Sequence, residues 1–283
     1  MNWIIGIVVL VIVGYLLDRE IYFYEGVHLG PRVQAWLYDR WSKKYDEGKK
    51  ASQMHDHEML ARPLLEALDD LPEAFILDFA TGTGRLSYAL LKRAEFHGHI
   101  IALDLSRGML EKAVAKLHGA STTGLLSAKN RMVEFLRYPS LPLPFPDEAF
   151  DAVCGLEVLE LFPDMNEPLR ELTRVLRPGG VLLTSRGTEE SGRRARIKSA
   201  AVFTSLLEKY GMEQIQITRW WKLFDRVIAR KHGQSGTPPF KRLSKVLVCS
   251  SCGSRQWSVS DRGWKCQVCG NVLAVTREGI ILN

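Results

Sequence analysis

A chain of 283 residues, 46% hydrophobic and 25% charged, is too apolar to stay disordered and long enough for one large core plus a small appended module. Its formal net charge of +6 favours an anionic neighbour (lipid headgroups, nucleic acid or an acidic partner) without selecting one. Of its five cysteines, four cluster near the C-terminus and Cys154 stands alone in an apolar run, which excludes a disulfide framework spread over the chain.

The first element is apolar throughout. Residues 3–17 (WIIGIVVLVIVGYLL) carry no charge and stop at Asp18, Arg19 and Glu20; counted from Met1 the run is 17 residues long. That lies at the lower edge of the roughly 17–25 residues that span a bilayer as a helix. No basic leader or small-residue cleavage site marks a secretory signal, and a buried core helix would show a polar face. The expectation is a transmembrane anchor over residues 1–18. Arg19, Arg32, Arg40, Lys43 and Lys44 follow it, which predicts a single-pass membrane protein with its bulk facing the cytoplasm. Residues 19–51 form a juxtamembrane segment rich in aromatics: Tyr22, Phe23, Tyr24, Trp36, Tyr38, Trp41 and Tyr45. Such rings suit either a collar at headgroup level or a cover for the next domain's core.

From 52 to 231 strand-like and helix-like runs alternate. The strands are predicted at 75–79, 99–104, 132–136, 150–155, 181–186, 213–220 and 224–231, and the helices at 85–96, 106–117, 166–177 and 195–210. This alternation implies an α/β, Rossmann-like fold whose mostly parallel sheet is covered on both faces, with the last two strands as an antiparallel C-terminal hairpin. Residues 232–244 (HGQSGTPPFKRLS) read as a linker. The remaining 245–283 are too few for a core of their own and need a staple.

The stretch ILDFATGTGRL (76–86) ends a strand in a glycine turn. In a parallel sheet that turn faces the ligand crevice, and its glycines permit close backbone approach. Asp104 closes the next strand 20 residues beyond Gly84, the usual place for an acid that accepts from ribose hydroxyls. The third glycine of the dinucleotide fingerprint is missing and no phosphate-binding G-x-x-x-x-G-K-[ST] is present. Asp78, just before the turn, would repel a pyrophosphate and suit a cationic amine or sulfonium. These features favour S-adenosylmethionine over NAD, ATP or FAD.

DFATGTG (78–84), ALDLSRGMLEKA (102–113), LPFPDEAFDAV (143–153), EVLELFPD (157–164) and ELTRVLRPGGVLL (171–183) resemble, in order, the motifs of class I methyltransferases, in the subgroup that includes ubiquinone and menaquinone C-methyltransferases. The resemblance covers about residues 70–231. It implies a seven-stranded sheet with S-adenosylmethionine across its centre. Carried over by position, Asp78, Ala80, Thr81, Gly82 and Gly84 line the methionine end, Asp104 takes the ribose, and Leu105 and Met109 lie near adenine. Two positions depart from the family. Pro139 stands where an acid usually meets the adenine amino group, and Leu161 replaces a histidine that could act as base. Glu157 and Glu160 are the weak remaining candidates for a catalytic base; a surface role explains them equally well. The basic loop 185–198, with Arg186, Arg193, Arg194, Arg196 and Lys198, reads as a lid, an anionic-lipid patch or a solvated loop.

Near the C-terminus, CSSCG (249–253) and CQVCG (266–270) leave thirteen residues between Cys252 and Cys266. Two such knuckles set Cys249, Cys252, Cys266 and Cys269 around one Zn²⁺, with iron as the minor rival. The surrounding text resembles the zinc-ribbon proteins that serve as activating subunits of tRNA and protein methyltransferases, which implies a built-in stabiliser or substrate gatekeeper. Trp257 and Trp264, read as exposed, lend a nucleic-acid ribbon some support, but no dense basic-aromatic stripe accompanies them. The sequence therefore predicts a membrane-anchored methyltransferase acting on a small, lipophilic acceptor. A tRNA or protein methyltransferase and a noncatalytic cofactor-binding scaffold are the alternatives. It does not reveal the oligomeric state.

Overall fold

The computed structural model describes residues 2–68, 71, 73–119, 132–191, 197–236 and 241–283. Its centre is a set of parallel strands: β1 (Phe75–Phe79), β2 (His99–Asp104), β3 (Val133–Arg137), β4 (Phe150–Gly155) and β5 (Leu176–Gly187). Every residue of β1 and of β4 is buried, as expected where helices cover both faces of a parallel sheet. Alternate residues feed two separate cores. Phe75, Leu77, Ile101, Leu103, Val153 and Leu182 fill one face, and Ile76, Ile100, Ala102, Ala152, Cys154 and Leu183 the other, the period of two that a strand imposes. Cys154 is thus a plain core residue. The hairpin of β6 (Met212–Trp221) and β7 (Phe224–Lys231) pairs antiparallel onto β5, as the short connection between them predicted.

Four strand spans, β1, β2, β4 and β7, coincide with the sequence reading. The helices differ at their ends. The one predicted at 85–96 is only Arg85–Leu91, and that at 166–177 stops at Val175, where Leu176 turns extended to begin β5.

The first helix, α1 (Asn2–Asp18), has 17 residues. At 1.5 Å per residue it reaches about 25 Å, less than the ~30 Å hydrocarbon thickness of a bilayer. No helix among the described residues is long and apolar enough to cross a membrane. The expected transmembrane anchor is overturned, and with it the single-pass location facing the cytoplasm. The aromatic segment that follows is largely helical, with Tyr22 and Trp36 exposed. It includes α2 (Pro31–Trp41) and α3 (Tyr45–Gln53), with α2 packed against the helix Arg107–Gly119.

The C-terminal residues do not stand apart. The strands β8 (Trp257–Ser260), β9 (Gly263–Cys266), β10 (Val272–Val275) and β11 (Ile280–Leu282) form an antiparallel ribbon. Its last strand then pairs parallel with β3, Ile280 opposite Phe135 and Leu282 opposite Arg137. The expected seven strands run β3-β2-β1-β4-β5-β7-β6, and the ribbon extends them to an eleven-stranded sheet. Trp264, Leu273 and Ile281 share one core with Leu136 and Leu143, so a segment too small for a core of its own borrows one. The end of the predicted linker belongs to the same packing, while residues 237–240 lie outside the described ones. Leu243, Val246 and Leu247 are fully buried, each such side chain contributing about 1.5–3 kcal/mol relative to exposure. The Leu243 N–H donates to Glu134 at 2.8 Å and the Val248 N–H to the Pro144 carbonyl at 2.8 Å.

Candidate active site

The glycine turn after β1 is built from left-handed backbone at Ala80 (φ 54°), Gly82 (φ 56°) and Gly84 (φ 74°). At Gly84 a side chain would also collide, its Cβ meeting that of Ala113 at 3.0 Å. At Gly82 the same added atom would meet nothing within 4 Å, because that position faces an open cavity. The Gly82 N–H donates to Asp104 Oδ2 at 2.8 Å, and the Ser106 N–H to Asp104 Oδ1 at 2.8 Å. Each oxygen of Asp104 keeps a further lone pair for a ligand. Burial first, then the Asp78 and Asp39 carboxylates, push the Asp104 carboxyl up to about 6, against the two backbone donors that stabilise its anion.

Asp78 sits differently from its predicted role. Its Oδ2 accepts from Thr81 Oγ1 at 2.6 Å and Ser87 Oγ at 2.7 Å, and burial raises its pKa against those two bonds. It shapes the turn from beneath and, like Thr81 and Gly84, does not line the cavity. Two hydroxyls from within the turn occupy Asp78 Oδ2, and the cavity lining lends no support to the expected meeting of Asp78 with a cationic ligand.

The cavity measures about 420 Å³. Ala80, Gly82, Asp104, Leu105 and Met109, all candidates of the sequence reading, line it together with Tyr138 and Pro139. Val27, Pro31, Gln34, Tyr38 and Tyr45 of the N-terminal segment line it too, as do Leu141, Leu161 and Phe162. Glu157 also lines it, in a left-handed conformation (φ 53°) with its N–H given to Ser185 Oγ at 2.6 Å. Its carboxylate is held by Lys49 and by Arg85 Nη1 at 2.9 Å, so its charge is matched by two cations. Glu160 is elsewhere, buried with Oε1 on the Gly187 N–H at 2.8 Å. Neither acid is presented as a free base. In the basic loop, Arg193, Arg194 and Arg196 lie outside the described residues, and Arg186 is bound to Asp225 at 2.6 Å.

The N-terminal wall is what sequence reasoning missed. Asp39, on α2, accepts from Ser106 Oγ at 2.5 Å and from the Gly108 N–H at 2.8 Å, at the start of the helix Arg107–Gly119. Asp46, on α3, accepts from Thr83 Oγ1 at 2.6 Å and Lys116 Nζ at 2.9 Å. Asp56 grips Arg85 through both carboxylate oxygens, at 2.7 and 2.8 Å, the strong bidentate geometry. These bonds strap residues 39–56 over the glycine turn. One signal was available: Tyr-Asp occurs at 38–39 and again at 45–46, and both tyrosines line the cavity.

The four C-terminal cysteines converge. Their Sγ atoms all lie within 4.8 Å of one another, with Cys249–Cys269 and Cys252–Cys266 each at 3.6 Å. Each knuckle closes on a left-handed glycine, Gly253 (φ 73°) and Gly270 (φ 78°). The backbone N–H of Cys269, joined by that of Val268 and opposed by burial, draws the Cys266 thiol down to about 6. Tetrahedral sulfur around one zinc at ~2.3 Å would give edges of about 3.8 Å, so the cluster has the right size. The tryptophans behave otherwise than expected. Trp264 is buried, and Trp257 Nε1 donates to the Leu247 carbonyl at 2.8 Å. Both pack within or against the shared core.

The fold is a Rossmann-like, mostly parallel sheet with a glycine turn and the acid that closes β2 on one cavity. Residues 77–184 match the family model described as a methyltransferase domain; the chain therefore carries an S-adenosylmethionine-dependent methyltransferase domain. It is 32% identical over 149 residues to the demethylmenaquinone methyltransferase of Lactococcus lactis, covering 53% of this chain and 56% of that protein. It is 28% identical over 192 residues to the 2-phytyl-1,4-naphtoquinone methyltransferase of Synechococcus elongatus, covering 68% and 73%. The chain spans a little over half the length of the first of these relatives. A SAM-dependent methyltransferase from Aquifex aeolicus shares the fold with a TM-score of 0.52, at 20% identity, over 68% of this chain and 97% of that one.

Proposed function

We propose that this protein transfers a methyl group from S-adenosylmethionine to a small, apolar acceptor bearing an aromatic hydroxyl. The single observation that carries the reading is that Asp104 and the bare backbone of Gly82 open onto one cavity that Leu141, Leu161 and Phe162 also line. In this reading Asp104 accepts from the ribose hydroxyls, and Leu105, Met109 and Pro139 flank the adenine with apolar surface. Ala80 and Gly82 offer close backbone approach at the methionine end. When bound, S-adenosylmethionine supplies an electrophilic methyl on a sulfonium, and the protein's task is alignment and exclusion of water. Leu141, Leu161 and Phe162 suit an apolar acceptor, and the relatives named for quinone substrates favour the same class.

Calorimetry with S-adenosylhomocysteine tests the cofactor assignment. Asp104→Ala should weaken binding at pH 7.5 by about 10–100-fold, the worth of hydrogen bonds to a charged acceptor; an unchanged Kd discards it. Methyl transfer to a 2-alkyl-1,4-naphthohydroquinone tests the acceptor class, and tight cofactor binding with no labelled product would favour a noncatalytic scaffold.

For the cysteines we propose one structural Zn²⁺ held by Cys249, Cys252, Cys266 and Cys269, supported by the mutual approach of the four sulfurs. Metal analysis of the purified protein should find about one zinc per chain.

A further inference from the structure

The departures from the family's motifs leave the reaction without an assigned base, and the two candidate glutamates are engaged elsewhere. A different pair stands on the N-terminal wall. Tyr38 lines the cavity, and its Oη donates to Glu25 Oε2 at 2.5 Å. Glu25 itself does not line the cavity.

Glu25 is held there with strain. Its φ is +55°, and it is followed by Gly26 at φ +74°, a left-handed pair that costs a non-glycine residue of order 1–3 kcal/mol. The turn is fixed on both sides. The Gly26 N–H donates to the Glu20 carbonyl at 3.0 Å, and a Cβ at Gly26 would strike Leu37 Cδ1 at 2.8 Å. Strain at a fixed position beside a cavity is a common mark of a working group.

We propose that Glu25 and Tyr38 relay the acceptor's proton: Tyr38 is the catalytic residue that touches the acceptor hydroxyl, and Glu25 the positioning residue that drives it. This rests on the acceptor reading above. In the step, the acceptor O–H bond breaks and its proton goes to Tyr38 Oη while the proton already on Oη goes to Glu25 Oε2. The electron pair stays on the acceptor oxygen, or spreads to the ring carbon beside it, as the nucleophile; Glu25 ends neutral. Tyr38 never needs to ionise. That matters because burial, foremost, and then the Glu25 charge hold its phenol well above the usual tyrosine range. A phenol whose proton is committed to a carboxylate presents lone pairs to the cavity, which makes it an acceptor there. Val27, Pro31 and Gln34 line the wall beside it.

The test uses 2-naphthol as probe, bound to the full chain with S-adenosylhomocysteine present. Its excited state releases a proton to an acceptor in contact, and the anion emits at longer wavelength. Wild-type protein should show anion emission. Tyr38→Phe and Glu25→Gln should lose most of it while binding the probe within about tenfold, the loss of one hydrogen bond, and holding S-adenosylhomocysteine about as tightly as wild type. In turnover of the naphthohydroquinone, both variants should lose about 10²–10⁴ in kcat with the cofactor KM little changed. Neutral-only emission from wild type, or anion emission that survives both substitutions, overturns the relay while leaving the acceptor class standing. Failure of wild type to bind the probe overturns the acceptor class and the relay together. Loss of S-adenosylhomocysteine binding in both variants assigns the pair a purely structural role and also overturns the relay.

Discussion

Asp104 has two environments to satisfy. Without a ligand it is a buried carboxylate near Asp78 and Asp39, with its carboxyl pushed to about 6; with the proposed ligand it must be charged to accept from ribose. The sign follows directly. Above pH 6 the site presents the anion and binds well, and as pH falls through 6 the neutral acid must first lose a proton. S-adenosylhomocysteine affinity should therefore drop below pH 6 by up to about tenfold per pH unit, measured by calorimetry between pH 5 and 8. Asp104→Asn should bind weakly and lose that dependence. Arg85 is the opposite kind of residue. Its guanidinium, with 11% of the side chain exposed, joins Asp56 to Glu157 and lies over the Trp220 ring at 4.7 Å. Arg85→Ala would leave the buried Asp56 without its cation and Glu157 with Lys49 alone, which should cost about 3–5 kcal/mol in urea unfolding.

Among the elements, those that bury apolar side chains were the legible ones. The strand spans β1, β2 and β4 could be read to the residue because a strand covered on both faces is an unbroken apolar run. α3 could not be read this way. Its sequence is YDEGKKASQ and its one buried residue is Ser52, so no hydrophobic period announces it; polar bonds from Asp46, Lys49 and Ser52 seat it on Thr83, Glu157 and Arg85. α1 misled for the converse reason. Hydropathy alone reads its 17 residues as a span, while length decides whether it can cross. The same division holds within the site. Gly82, Asp104, Leu105 and Met109 were legible from motif positions, but Glu25 and Tyr38 come together only through the fold of residues 25–38. If α3 is a latch, removing one bond should loosen it without unfolding the domain. Asp46→Ala, which leaves Thr83 and Lys116 without that carboxylate, should weaken S-adenosylhomocysteine by about 3–10-fold. It should also speed amide exchange across residues 45–53 while exchange in β1 and β4 stays slow.

At the scale of the whole molecule, the ribbon solves a problem that the central sheet creates. β3 would otherwise be a bare edge, a row of unpaired backbone groups open to pairing with another chain. β11 covers it, and the Asn283 N–H adds a further bond to the Arg137 carbonyl at 3.2 Å. The cover is held at its far end by the four cysteines and at its near end by Leu243, Val246 and Trp264 in the shared core. The cysteine cluster and the sheet edge are therefore linked through folding, although the metal would touch no residue of β3. Chelation, or Cys266→Ser, should lower the melting temperature. It should also raise amide exchange in Phe135–Arg137 above that in β1, and promote aggregation through the uncovered edge. Because the seven inner strands keep their own core, far-UV dichroism should fall only by the ribbon's share. Loss of the whole spectrum would instead mean that the ribbon's apolar residues are indispensable to the main core, and no change in β3 exchange would mean that the strand pairing holds without metal.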